Sequence, residues 1–257
     1  MNLEIKKEKI FKYIEVGDGQ VMLLLHGLFG ALSNFLDVIR YFSPKYKVVI
    51  PLLPLYELEL EKSNLPGMIE HIEEFIAFKK YKKLTLIGNS LGGHIAQLYA
   101  LRNLENVKAM VLTGSSGLFE SAMGDTYPKK SDIEYVRKKT ALTFYDPKVA
   151  TEELINEVFD IINDRNKAIR VLYIAKSAMR ENLSDQIGKI TVPVNLVWGK
   201  HDTITPPFVA EEFHKLLPNS VLNFIDKCGH APMMERPEEF NKSVDDFLEK
   251  IKTATPG

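Results

Sequence analysis

The sequence predicts an α/β fold, with a mostly parallel central sheet and helices on both of its faces. Through most of the 257 residues, short apolar runs typical of strands alternate with longer segments of helical periodicity. The run at residues 21–25 contains no polar residue, as expected for a strand that is buried on both faces of a parallel sheet. With a hydrophobic content of 45%, a chain of this length can bury a substantial core in one domain that carries an insertion.

The elements before residue 115 follow this alternation. Gly17-Asp18-Gly19 lies between the first two apolar runs and predicts a hairpin turn that joins them. Pro66 is suited to the first turn of a helix, and the apolar residues of 91–103 predict a largely buried one. The predicted strands are 10–16, 20–26, 46–50, 84–88 and 107–113, and the predicted helices are 33–42, 66–80 and 91–103. Beyond residue 187 the same rhythm predicts strands at 192–198 and 220–226 and helices at 207–217 and 237–252.

Residues 116–187 break the alternation, because they contain no convincing strand and show three helical patterns. These patterns lie near 131–142, 151–162 and 165–181, after the loop tetrapeptide Gly114-Ser115-Ser116-Gly117. We therefore predict a core domain formed by residues 1–115 and 188–257, with 116–187 as a helical insertion.

Residues 84–92 carry the most informative motif. An apolar strand runs directly into Gly88-Asn89-Ser90-Leu91-Gly92, which is a G-x-S-x-G pattern. This pattern lifts a serine hydroxyl out of the end of a strand and onto the start of a helix. The serine of such a turn has strained backbone geometry, so Gly88 and Gly92 are needed to let the strand and the helix approach. Ser90 is therefore a candidate nucleophile.

A serine nucleophile needs a general base, and the base needs an orienting acid. Asp202 follows the predicted strand 192–198, and His230 follows the predicted strand 220–226. Taken alone, Asp202 is equally consistent with capping the next helix, whereas a structural role in its loop is the weaker interpretation of His230. Together with Ser90 they lie past the carboxyl ends of strands, where open parallel sheets carry their chemistry. We therefore predict a Ser-His-Asp triad.

Two neighbours of His230 offer weaker alternatives. Asp226 also lies at a strand end, but it is only four residues before His230 and is better suited to capping the strand. Cys228 is two residues before His230, and we expect it to pack at the strand end and not to act as a thiol nucleophile.

The loop after the second predicted strand is the candidate oxyanion hole. It reads His26-Gly27-Leu28-Phe29-Gly30. Backbone N–H groups stabilise the negative oxygen of a tetrahedral intermediate, and they come from the residue after the nucleophile and from such a loop. This nominates the amides of Leu91 and Leu28, with Phe29 as the alternative to Leu28. We expect His26 to brace the loop through hydrogen bonds to the backbone.

These motifs resemble those of the α/β-hydrolase superfamily, in its branch of small bacterial serine esterases and C–C hydrolases. The resemblance covers most of the chain, and its motifs lie at 26–30, 88–93, 198–202 and 229–230. One departure is the segment 51–58, which stands where members of the superfamily carry an Asp-x-x-Gly-x-Gly-x-Ser loop. The departure affects the expected shape of the pocket on that side and leaves the triad intact.

The resemblance implies an α/β-hydrolase fold with a helical cap over the active site, and it leaves three functions open. The leading one is a serine carboxylesterase that cleaves a small, fairly apolar ester through an acyl-enzyme. The second is hydrolysis of a C–C bond in a diketone formed by aromatic ring cleavage. The third is a catalytically silent ligand-binding protein, against which the intact triad argues. Dehalogenases and epoxide hydrolases are disfavoured, because they use an aspartate where this chain has Ser90.

Three residues are candidates for substrate binding: Phe29, Asn34 and Asn89. Asn34 and Asn89 resemble asparagines of the C–C hydrolases and favour that alternative. Ala231 argues against it, since that family typically places a tryptophan after the catalytic histidine.

The insertion carries more apolar side chains than its own helices need. Some of them are expected to line the pocket, which therefore favours an apolar acyl or aryl group. The candidates are Leu118, Phe119, Met123, Phe144, Tyr145, Phe159, Tyr173 and Met179.

Charge and composition limit the partners. The chain has 33 Lys and Arg against 34 Asp and Glu, a net charge of −1, so no basic field predicts binding to nucleic acid or to an anionic membrane. The charged N-terminus lacks the apolar core of a signal peptide, and no apolar run approaches the length of a membrane span. A single cysteine excludes an internal disulfide framework and suits a reducing compartment. We expect a cytoplasmic protein.

No cofactor or metal is expected, because no histidine or cysteine spacing is typical of a metal site. His71, Glu73 and Glu74 share a helix and are expected to form a solvated face. The expected partner is a small-molecule ester, and the sequence leaves open whether the protein is a monomer or a homodimer.

Overall fold

The computed structural model describes residues 3–29, 32–119 and 132–254. Within these ranges the strands are β1 (Lys6–Glu8), β2 (Phe11–Val16), β3 (Val21–Leu25), β4 (Lys47–Pro51), β5 (Leu84–Asn89), β6 (Val107–Thr113), β7 (Val194–Gly199) and β8 (Ser220–Ile225). They form one eight-stranded sheet in the order β1-β2-β4-β3-β5-β6-β7-β8. All pairings from β4 onward in this order are parallel, and only β1 with β2 and β2 with β4 are antiparallel. The predicted fold class is confirmed.

Helices cover both faces of the sheet. In the described ranges they are α1 (Leu36–Phe42), α2 (Leu65–Lys79), α3 (Leu91–Arg102), α4 (Ile133–Ala141), α5 (Glu152–Asn163), α6 (Arg165–Arg180), α7 (Pro207–Leu216), α8 (Pro232–Glu235) and α9 (Pro237–Ala254). None of these helices combines the length and the apolarity needed to cross a bilayer.

The central strand β3 shows how the two layers form. All five of its residues are buried, and their side chains alternate between the faces of the sheet. Leu23 and Leu25 join the apolar cluster under α2, α3 and α7, whereas Met22 and Leu24 join the cluster under α1 and α9. Burying each of these side chains contributes about 2 kcal/mol. A strand without a polar residue is therefore required at this place in the sheet.

The predicted hairpin between the first two long strands is wrong. β2 pairs with β4, with Val16 opposite Val48, and β4 separates β2 from β3. The intervening turn packs against the segment that leads into β4, since a Cβ on Gly17 would lie 2.2 Å from the Ser43 carbonyl oxygen. Gly17 also has a φ of +79°, which glycine adopts at no steric cost. The alternation of apolar residues predicts strands, but it leaves their partners open.

Helices α4, α5 and α6 lie where the helical periodicity of the insertion predicts them. Helix α6 is fixed to the rest of the chain by hydrogen bonds at two points. The Arg170 guanidinium Nε donates to the Leu58 carbonyl over 2.9 Å, and the Leu65 amide donates to Ser177 Oγ over 3.1 Å. Of the apolar candidates in this region, Met123 lies outside the described residues.

His71 differs from its expected solvated position. It is only 7% exposed, and its ring lies 5.2 Å from the ring of Phe11. Burial lowers the pKa of His71. Of the three helix residues, Glu73 is half-buried and Glu74 is exposed, whereas the helix turns His71 towards the N-terminal strands.

The burial of His94 is expected to make the stability of the folded protein depend on pH. This histidine lies on α3 with no exposed surface, and burial lowers its pKa to about 4. In the unfolded chain a histidine has a pKa near 6.5. As the pH falls below 6.5, the unfolded chain therefore binds a proton at this residue while the folded chain keeps it neutral. The stabilisation from neutral His94 is complete above that pH and decreases towards pH 4.

We expect this one group to lower the free energy of unfolding by about 2 kcal/mol between pH 7 and pH 5. Urea unfolding of the wild type and of His94→Gln at both pH values measures it. The loss of stability on acidification should be smaller by this amount in the variant, and an equal loss in both proteins would contradict the prediction.

Candidate active site

Ser90 stands between β5 and α3 in the turn that the sequence predicts. Its φ of 53° and ψ of −121° are rare for any residue other than glycine and cost about 1–3 kcal/mol. The turn is held by hydrogen bonds from the Ser90 amide to the Thr113 carbonyl, over 3.2 Å, and from the Gly93 amide to the Ser90 carbonyl, over 3.0 Å. The side chain is half-buried and does not cap α3, which keeps the hydroxyl out of the helix hydrogen bonding.

The glycines around Ser90 permit a close approach of backbone segments. A Cβ on Gly88 would lie 2.5 Å from the Gly93 Cα, and one on Gly92 would lie 2.0 Å from the Leu25 carbonyl oxygen. Both distances are far shorter than a carbon can tolerate. The start of α3 can therefore lie directly against β5 and the end of β3 only because these positions lack side chains.

Asp202 and His230 meet at the same edge of the sheet. His230 Nδ1 donates to Asp202 Oδ2 over 2.9 Å, and the two side chains are 8% and 1% exposed, respectively. The other carboxylate oxygen, Oδ1, accepts from the amides of Ile204, over 2.8 Å, and Thr205, over 2.9 Å. The carboxylate is thus held in place from both sides, and it fixes the proton of the imidazole on Nδ1.

Asp226 has a different environment. Its side chain is 62% exposed, and it lies 3.8 Å from Lys200 Nζ and 3.7 Å from His201 Nε2. The geometry therefore brings Asp202, and not Asp226, to His230.

Thr205 is a member of the site that the sequence analysis missed. Its hydroxyl donates to Asp202 Oδ2 over 2.8 Å and lies 3.3 Å from His230 Nδ1. Its carbonyl accepts from the indole of the buried Trp198 over 2.7 Å. The signal was present in the sequence, because an aspartate three residues before a threonine can bond to its amide and hydroxyl in a tight turn.

Asn89 connects the serine turn to the histidine loop. Its side-chain Nδ2 donates to the His230 carbonyl over 3.1 Å and to the Thr113 carbonyl over 3.0 Å. A Cβ on Gly114 would lie 2.8 Å from His230 Nδ1, so the loop after β6 also lies against the imidazole. These contacts brace the backbone of His230, and a role of Asn89 in substrate binding stays a prediction.

The candidate oxyanion loop lies beside the serine. A Cβ on Gly27 would be 3.2 Å from Ser90 Cβ. Leu91 is the first residue of α3, where backbone amides have no acceptor within the helix. Leu28 and Phe29 are half-buried, and Gly30 lies outside the described residues. The assignment of the Leu28 and Leu91 amides to an oxyanion hole stays a prediction.

His26 braces this loop as expected. Its Nδ1 lies 2.9 Å from the Gly27 carbonyl, and its Nε2 accepts from the Leu53 amide over 3.2 Å. One nitrogen donates and the other accepts, which requires the neutral ring, and burial lowers the pKa of His26 accordingly. The Leu53 contact ties the unusual segment 51–58 to the loop that begins at His26, and Leu55 of the same segment is buried in the core.

Asn34 and Cys228 are the remaining candidates near the site. Asn34 Oδ1 is buried and accepts no hydrogen bond within the described ranges, and its substrate-binding role stays a prediction. Cys228 is fully buried, and burial raises the pKa of its thiol. A thiolate is therefore disfavoured there. Among the described residues, no three His, Cys, Asp or Glu side chains cluster as a metal site requires.

The sequence matches the family described as serine aminopeptidase, S33, over residues 65–237. The match begins at α2 and includes the serine turn, Asp202 and His230.

Three similar proteins cover most of the chain. One is an α/β-hydrolase enzyme of known crystal structure, from the metagenome of sediments from the lagoon of Mar Chica, Morocco. It is 42% identical in sequence, with a TM-score of 0.80, over 96% of this chain and 98% of that chain. The 2-hydroxy-6-oxo-6-(2'-aminophenyl)hexa-2,4-dienoic acid hydrolase of Metapseudomonas resinovorans is 30% identical, over 93% of this chain and 87% of its own. The monoacylglycerol lipase ABHD6 of Mus musculus is 26% identical, over 90% of this chain and 76% of its own.

Proposed function

Because the chain belongs to the serine aminopeptidase S33 family of α/β-hydrolases, we propose that it is a serine carboxylesterase that cleaves a small, fairly apolar ester. That it is a hydrolase follows from the family. The esterase proposal rests on two observations: the buried pair of Asp202 and His230, whose Oδ2 and Nδ1 lie 2.9 Å apart, and the strained strand–helix turn that holds Ser90. An arrangement of this kind activates a hydroxyl for attack on a carbonyl carbon.

In the proposed reaction, Ser90 Oγ forms a bond to the carbonyl carbon while His230 takes the hydroxyl proton. Because Nδ1 of His230 faces Asp202, Nε2 is the nitrogen that accepts this proton. The negative oxygen is stabilised by the amides of Leu28 and Leu91. The intermediate then expels the alcohol, which takes the proton from His230 and leaves an acyl-enzyme. Water adds to the acyl-enzyme with His230 as the base, and the carboxylic acid leaves as Ser90 regains its proton.

A cavity lies near the serine turn. It has a volume of about 130 Å³ and lies between the loop after β6 and the end of α6, with Leu118, Phe119 and Met179 in its wall. The amide of Ser116, which also lines the cavity, donates to the Ser90 carbonyl over 3.3 Å. We propose that residues 116–187 act as a cap and supply the apolar part of this pocket.

Hydrolysis of a C–C bond is the second candidate, and the relative from Metapseudomonas resinovorans favours it. The same triad can serve both reactions, so the decision depends on the surroundings of the histidine. A carbon leaving group must be protonated before it leaves, which requires a substrate held in position to ketonise. Ala231, which follows His230, is only 4% exposed and offers neither an aromatic nor a polar side chain for this purpose.

We expect p-nitrophenyl esters of short acids to be hydrolysed with a kcat/KM of about 10⁴ M⁻¹s⁻¹ or above. Diketones from aromatic ring cleavage should be cleaved at least about tenfold less well, because Ala231 offers no aromatic or polar side chain beside His230 to hold them. A panel of p-nitrophenyl esters graded by acyl length, measured beside one such diketone, tests both statements, with Ser90→Ala as the background. Efficient diketone cleavage with poor ester turnover would reject the esterase proposal in favour of the C–C hydrolase.

A further inference from the structure

Glu235 is a buried carboxylate at the end of α8, five residues after His230. It is only 9% exposed. Its oxygens accept from backbone amides on two different segments. Oε2 accepts from the Gly229 amide, whereas Oε1 accepts from the amides of Tyr145, over 2.6 Å, and Asp146, over 3.3 Å.

The second of these segments, residues 142–146, lies between α4 and α5, and we call it the clamp segment. It contacts the histidine loop directly, because the His230 amide donates to the Thr143 carbonyl over 2.9 Å. A Cβ on Gly229 would lie 2.6 Å from the same carbonyl oxygen. The backbone of the histidine loop and the clamp segment are therefore in contact without an intervening side chain.

The clamp segment also contacts the loop that carries Asp202. The Thr203 hydroxyl donates to the Leu142 carbonyl over 3.1 Å. The rings of Tyr145 and His201 lie 4.6 Å apart, centroid to centroid. One short segment of the insertion thus contacts both loops that form the Asp202–His230 pair.

We propose that Glu235 is a positioning residue, which ties the clamp segment to the histidine loop and so keeps His230 aligned with Asp202 and Ser90. The proposal rests on the proposed function, in which His230 is the general base. Glu235 touches no reacting atom and acts through the backbone of Gly229. A displacement of about 1 Å at a catalytic group can reduce turnover by about 100-fold.

The proposed role requires that both carboxylate oxygens of Glu235 accept hydrogen bonds. In Glu235→Gln, one oxygen becomes an amide that can only donate. Either Gly229 or the clamp segment then loses its acceptor, and a donor faces a donor in a buried place. Glu235→Asp keeps both acceptor oxygens on a shorter side chain, so it should retain more activity than the glutamine variant.

The test compares Glu235→Gln with Asp164→Asn. Asp164 also accepts from two backbone amides, those of Asn166, over 2.8 Å, and Lys167, over 3.1 Å, but both bond to its Oδ1, and it lies at the start of α6. An asparagine keeps that acceptor, so this control replaces a carboxylate with an amide without the loss of an acceptor that Glu235→Gln causes. We expect Glu235→Gln to lower kcat by about 10- to 100-fold with KM changed less than about threefold, and Asp164→Asn to leave both constants unchanged.

Amide hydrogen exchange of the folded variants gives a second readout that needs no substrate. Exchange should become faster in the clamp segment and in residues 228–231 together in Glu235→Gln, and in neither in Asp164→Asn. If the wild type lacks esterase activity, the proposed function fails, and exchange alone still decides whether Glu235 couples the segments. Unchanged exchange, or faster exchange with kcat intact, would overturn the positioning role. If the glutamine variant does not fold, the same measurements on Glu235→Asp decide, with a smaller decrease in kcat expected.

Discussion

Replacing Ser90 with alanine is expected to abolish covalent labelling by a fluorophosphonate probe and to lower ester turnover by about 10⁴- to 10⁶-fold. The physical reason is that alanine has no nucleophile to form the acyl-enzyme. Only the oxyanion donors and the binding pocket would still act on the ester. Labelling is measured by intact-protein mass spectrometry, and turnover with a p-nitrophenyl ester.

The matched control for this experiment is Ser177→Ala. Ser177 Oγ accepts from the Leu65 amide at the first residue of α2. Its removal should cost some stability and leave labelling unchanged. Labelling that persists in Ser90→Ala would refute the assignment of the nucleophile.

Asp202→Asn is expected to lower turnover by about 10⁴-fold. The asparagine amide can donate to His230 Nδ1, which would place the imidazole proton on Nε2 and leave that nitrogen unable to accept the proton of Ser90. The folded structure should survive, because the remaining carbonyl oxygen can still accept from the amides of Ile204 and Thr205. Turnover and circular dichroism of the variant test both parts.

Asp226→Asn is the control for this second prediction. Asp226 is the other aspartate at a strand end close to His230, and its exposed side chain contacts Lys200 and His201. The substitution Asp226→Asn should therefore change turnover little. A larger loss from Asp226→Asn than from Asp202→Asn would show that the orienting acid has been assigned wrongly.

The loops that carry Ser90, Asp202 and His230 were predictable because each follows a strand with a clear apolar pattern. Strand ends at the carboxyl edge of a parallel sheet converge in space whatever the exact pairing of the strands. The convergence of these loops was therefore available from the sequence before any contact was known. The bracing role of His26 was predictable for a similar reason. It follows a buried strand, so the backbone of the adjoining loop is its nearest hydrogen-bond partner.

Strand pairing and bracing side chains were not predictable in the same way. The first two long strands have a turn suited to a hairpin between them, yet β4 takes the position beside β2, since pairing depends on packing across the whole sheet. Glu235 accepts hydrogen bonds from the amides of Tyr145 and Asp146, which lie 90 and 89 residues earlier in the chain, so its role emerges only when distant segments are brought together. Thr205 differs, because its bond to Asp202 is local and the spacing of these two residues could have indicated it.

The insertion of β4 between β2 and β3 also bears on the order of folding. Before residues 47–51 are in place, β2 can pair only with β1, and a two-stranded ribbon alone is marginally stable in water. We therefore expect β1 and β2 to become stably ordered only once β4 is in place beside β2.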